Sequence, residues 1–184
     1  MLLASNRDER MGDITSTSFG LVIAFLLPGL AVLYGLTFWS ENAKKTYQSL
    51  LSAQSNVGLF LLVMLAGVAV GLMLTLVRWL VFEFLLCKEH LDTANFKNLH
   101  QKERLDAFRA AADEHYRYHQ FWGGMALALP VIAIGWLKQL WDGVGLSTFI
   151  LATIGIVGVE ILTVCGATAA YKNYVRRGNL IMKS

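Results

Sequence analysis

Two groups of side chains in this sequence have the types and spacing to do chemistry. His115 and His119 stand four residues apart, so on a helix they share a face, as two imidazoles gripping one metal ion would. Asp113, Glu114, His90 and His100 are further candidate ligands. The order is Glu-His-x-x-x-His, however, and the His-Glu-x-x-His signature of zinc hydrolases is absent. Histidines beside tyrosines at a membrane edge more often hydrogen-bond and meet headgroups, so no metal ligand, cofactor or catalytic residue is assigned. The second group is Arg78 and Glu160, two charges inside otherwise apolar stretches. Counted back from Lys88 and Lys172, they lie roughly 15 and 18 Å deep at about 1.5 Å per residue. A lone charge in hydrocarbon costs at least ~2.5–3.5 kcal/mol, so each needs a partner, a water cavity or a route to the headgroups. One reading is an intramembrane pair, Arg78 with Glu160, that fixes helix register; Arg78 can instead snorkel. The other has Glu160 lining a polar cavity or pore, at an oligomer axis, because a short carboxylate cannot snorkel far.

What must position these groups is a membrane fold. Apolar residues make up 55% of the chain and charged residues only 16%, against roughly 45–50% and about 25% in soluble proteins. Four apolar runs, about 18–39, 57–82, 121–141 and 144–171, are each long enough for a ~30 Å hydrocarbon core. The fold class is therefore all-α: an integral-membrane four-helix bundle in one transmembrane domain, with no room for a large soluble catalytic domain. Residues 1–13 lack the apolar core of a cleaved signal peptide, and Met11 is an alternative start.

The connections are unequal. Residues 40–56 read as a short polar link. Residues 88–120 read as a cytoplasmic amphipathic helix, with Phe96, Leu99, Leu105, Phe108 and Ala112 at roughly helical spacing, running directly into the third span. The short turn Asp142-Gly-Val-Gly145 makes the third and fourth spans antiparallel neighbours. Twelve Lys and Arg residues fall on the side of the termini and the long segment, and only Lys44, Lys45 and Lys138 on the other. The positive-inside bias puts both termini and the long segment in the cytoplasm.

Small residues suggest where the helices touch. Gly67 and Gly71 form a GxxxG motif that permits close helix approach, and Gly155 and Gly158 suggest a second contact face. Pro28 and Pro130 fall inside spans and are expected to kink them. Cys87 and Cys165 are expected to be reduced and packed.

The junction of the long segment with the third span carries Arg109, His115, Tyr116, Arg117, Tyr118, His119 and Trp122. Its aromatics suit an interface belt, a lever joint, or a docking surface for a cytoplasmic protein. Arg109 and His115 have an Arg-x5-His spacing similar to that of HEPN ribonucleases. That motif belongs to a soluble helical bundle, for which this segment is too short. No nucleic-acid motif is present, and the bases of the tail, Lys172, Arg176, Arg177 and Lys183, are expected to meet anionic lipid.

Phe25-Leu-Leu-Pro-Gly29, Val77-Arg-Trp79 and His115-Tyr-Arg-Tyr-His-Gln-Phe-Trp-Gly123, taken together, resemble a family of small bacterial four-span inner-membrane proteins of unassigned function. The plan is also similar to that of membrane components of anti-phage defence systems, an analogy of size and span count. The expectation is a non-enzymatic homo-oligomer in the bilayer that receives a cytoplasmic signal or partner through residues 88–122. Its concrete form is a pore-type or membrane-perturbing effector. A constitutive channel or transporter using Glu160, and a membrane enzyme using the histidines, are the alternatives.

Overall fold

The computed structural model describes residues 20, 22–52, 57–87, 90–141, 143 and 145–183. The start of the first span at Ser18 and the Met11 alternative lie outside them. All regular structure among the described residues is helical. A π-helical turn, Val22–Leu26, leads into α1, Leu27–Leu36. Then come α2, Glu41–Leu51, and α3, Val57–Arg78, which continues as a π-helical segment, Trp79–Leu86. A 3-10 segment, Thr93–His100, precedes α4, Lys102–Ala111. A second π turn, Ala112–Tyr116, joins α4 to α5, Arg117–Trp141, and α6 runs from Leu146 to Lys183. Three of these helical runs, Val57–Leu86, Lys102–Trp141 and Leu146–Lys183, are long and apolar enough to cross a membrane. The bent pair of α1 and α2 makes a fourth if it is counted as one. The chain is thus a multi-pass membrane protein by length and composition.

The packing follows from where side chains are missing. A Cβ on Gly29 would strike the Gly67 carbonyl, and one on Gly71 would strike the Phe25 carbonyl. Backbone therefore rests on backbone where α1 and its π turn cross α3. On the other side Pro28, fully buried, packs its ring on Gly124 of α5, where a Cβ would lie 2.9 Å from the ring. The Pro28-Gly29 step is thus the point where three helices meet. The GxxxG glycines are used inside the chain, where they let α1 and its π turn approach α3 closely. Gly155 and Gly158 have open space where a Cβ would go within the chain.

The same contacts give directions. Gly35 meets Val131 and Ile132, and Gly135 meets Phe38 and Trp39, so α1 runs parallel to α5 and antiparallel to α3. Trp122 lies on Gly166 and Trp141 on Phe149, so α5 and α6 are antiparallel. One end, the polar end, gathers Gly20, residues 78–87, 111–119 and 167–183. The far end gathers residues 37–52, 57, 135–141 and 145–146. Helix α6 packs on α5 and on the polar-end segments, and α3 meets it chiefly through Trp79–Leu86.

Two stretches differ from their expected form. The link 40–56 contains α2, bent 119° away from α1 and capped by Ser40 Oγ, which accepts from the Ala43 N–H at 3.4 Å. Its polar sequence hid a helix that folds back across the far end. There Trp39 Nε1–H donates to the Val131 carbonyl at 3.2 Å, and Lys138 lies over the Trp39 ring at 5.8 Å. The tail beyond Lys172 is likewise helical. Tyr171, Val175, Gly178 and Met182 recur at i, i+4, i+7 and i+11 as a buried stripe, and Leu91 and Phe108 pack against Gly178. Helix α6 is consequently about 57 Å long at 1.5 Å per residue. Pro130 lies within α5, which continues unbroken to Trp141. From Lys102 to Trp141 the chain is one helical run, so the amphipathic segment does continue into the span that follows it.

A buried polar cluster as the candidate functional site

The polar end is built around Arg78, the last residue of α3, which is only 2% exposed. Its guanidinium donates from Nη1 to Glu83 Oε1 at 2.9 Å and to His119 Nε2. Nη2 reaches the Tyr116 hydroxyl at 3.5 Å, and that hydroxyl lies 3.3 Å from the same Glu83 oxygen. Tyr116 also offers its ring face, 5.7 Å from the guanidinium carbon.

The helix register makes this possible. Glu83 is five residues beyond Arg78, and in an α-helix that spacing would turn the carboxylate about 140° away. The π segment that begins at Trp79 has i→i+5 geometry, which brings residue 83 back under residue 78. Gly123 completes the arrangement. A Cβ there would sit 2.8 Å from Arg78 Cγ and Cδ, so only glycine lets the arginine stem pass across α5.

His119 is fully buried and is the hub of the cluster. A guanidinium only donates, so Nε2 must accept, which puts the proton on Nδ1. Nδ1–H then donates to the Ala167 carbonyl of α6 at 2.8 Å. One imidazole on α5 thus ties α3 to α6. Phe82, Tyr116 and Tyr171 wall the ring with centroids at 6.0, 5.9 and 4.9 Å. Breaking such a buried pair on one side is costly, because the remaining charge loses its counter-ion.

Within the chain Arg78 pairs with Glu83 and not with Glu160. His119 holds Arg78 level with Ala167, and Glu160 is seven residues earlier on α6, roughly 10 Å along the axis. Depth counting from Lys88 and Lys172 missed this because Lys172 is not a helix end. Glu160 Oε2 is buried with no hydrogen-bond partner. Glu160 shares its stripe with Thr163 and Ala167, which are buried. Met125-Ala-Leu-Ala-Leu129 of the neighbouring α5 offers no side-chain donor.

The junction residues divide by helix phase. Tyr116 and His119 turn inward to Arg78. Tyr118 and Arg109 are exposed, and Arg109 meets only Asp106, at 3.8 Å. Arg117 binds Asp113 at 2.8 Å, and Trp122 lies against Gly166. His115 lies 3.9 Å from Glu114, with its Nε2 buried and unbonded. His115 and His119 therefore do not act together, and among the described residues no three His, Cys, Asp or Glu side chains converge on a metal position. Neither Cys87 nor Cys165 is in a disulfide; the first is buried and the second exposed.

Sequence reasoning missed Glu83, Gly123, Tyr171 and the Ala167 carbonyl. The available signal was an acid five residues after an arginine within one apolar run. No protein-family model, curated protein or solved structure matches the chain.

Proposed function

We propose that the chain is a non-enzymatic, self-associating protein of a bacterial inner membrane, with both termini cytoplasmic, that passes a cytoplasmic event into its spans. The observation that carries this reading is the unbroken helical run Lys102–Trp141, with the Arg78–Glu83–His119 cluster at its middle. A partner or signal acting on residues 90–116 moves α5 directly. His119 passes that movement to α3 through Arg78 and to α6 through Ala167. Arg177 of α6 adds an outer tie, binding Glu114 at 2.8 Å. A membrane-perturbing effector of a bacterial defence system is the concrete form of this function. The test is a Gly-Gly insertion after Ala111, upstream of the cluster. The variant should stay in the membrane but no longer couple any cytoplasmic trigger to membrane depolarisation in cells. Full coupling in the variant removes the lever.

A second reading is favoured by one observation, the buried and unpartnered Oε2 of Glu160. In that reading Glu160 binds an ion or proton in a constitutive pathway. Steady ion flux in liposomes, abolished by Glu160→Gln, would distinguish it.

A further inference from the structure

We propose that the polar end carries a binding site for the phosphate headgroup of an anionic membrane phospholipid. The site lies on α6, on the face next to the buried stripe. Lys172, Arg176, Asn179 and Lys183 recur at i, i+4, i+7 and i+11, so they form one row along the helix. They border an open hollow of about 690 Å³, which His90, Ala169 and Leu180 help to line.

The hollow has a built second wall. Asn179 Oδ1 accepts from the Asp92 N–H at 2.9 Å, and its Nδ2 donates to the His90 carbonyl at 3.4 Å. These bonds pin residues 90–92 to α6, while Leu91 packs toward Gly178. Of the four α6 cations, only Arg177 has a carboxylate partner among the described residues, Glu114. Among the described residues, Lys172, Arg176 and Lys183 make no ion pair and no acid lines the hollow. Lys172 and Arg176, one helical turn apart on this concave surface, call for an anion with several acceptor oxygens, which is the chemistry of phosphate.

The shape of the hollow decides between a lipid and a free phosphate. The lining begins at Ala169, on the span side of the first cation. A free phosphate would use only the cations. A phospholipid would also use the apolar wall, with its glycerol and upper acyl chains against Ala169. Lys172 and Arg176 are about 6 Å apart along the axis, which matches the thickness of a headgroup layer. The inference rests on the membrane reading above.

The test uses the full chain in mild detergent, incubated with equal amounts of phosphatidylglycerol and phosphatidylcholine and read by native mass spectrometry. Wild type should retain the anionic lipid in about tenfold preference. Lys172→Gln with Arg176→Gln should lose that preference. Lys44→Gln with Lys45→Gln, the same charge change at the far end, should keep it. The proposal is overturned if the first pair keeps the preference or if the second pair loses as much. It is also overturned if inorganic phosphate alone displaces the lipid, since the ligand is then soluble. If the first pair is not recovered from membranes, Arg176→Gln alone is held to the same outcomes. Failure of the membrane reading looks different: an alkaline wash without detergent would release wild type from membranes.

Discussion

Two carboxylates sit in apolar helices of this protein, and their surroundings are opposite. Glu83 accepts from Arg78 and Tyr116 within a cluster that joins three helices. Glu160 keeps one oxygen buried and unbonded. Hydropathy does not separate the two sites, since each is one acid among apolar neighbours. What separates them is register. A π segment rotates Glu83 onto its partner, whereas Glu160 lies in regular α-helix with no partner for its buried oxygen. The first acid is used to hold the fold together. The second is held in place by the fold without being used by it, which makes it the acid open to an ion, a proton or another copy of the chain.

Substitutions can break this contrast. The largest effect is expected from Arg78→Ala, which strands Glu83 and removes a donor from His119. It should lower stability by about 3–5 kcal/mol in thermal or denaturant unfolding in detergent. Adding Glu83→Leu to Arg78→Met should recover much of that loss, since neither charge is then left alone. A double variant as unstable as the sum of its single changes would mean that the two side chains do not act as a pair. His119→Phe comes next. It keeps the ring volume but strips the Ala167 carbonyl and Arg78 of a partner, for a cost of about 1–3 kcal/mol. The smallest effect has the opposite sign: Glu160→Leu should raise stability by about 1 kcal/mol, because it removes an unsatisfied buried group. A clear loss on Glu160→Leu would show that this carboxylate has a structural partner after all.

How much of this was legible in the sequence depended on the kind of signal. The long apolar runs behind α3, α5 and α6 were visible because hydropathy is a sum over many residues. Helix α2 and the last turns of α6 were not, because they are polar and end where no charge count marks an end. The cluster was half visible. Tyr116 and His119 stood out by type and Arg78 by context, but their common partner Glu83 depended on a π register that residue spacing does not encode. Glycines were legible as contact points without saying contact with what. Gly67 and Gly71 meet Gly29 and Phe25 of the same chain, whereas Gly155 and Gly158 face open space.

The five-residue interval between Arg78 and Glu83 also bears on biosynthesis. Chains are made from the N-terminus, so α3 leaves the ribosome before Tyr116, His119 and Ala167 exist. An arginine whose counter-ion lay on a later helix would meet the bilayer alone. Here the acid emerges five residues behind the base, on the same helix and in contact with it. The segment brings its own neutralising charge to the insertion machinery, and the later helices complete an ion pair that already exists.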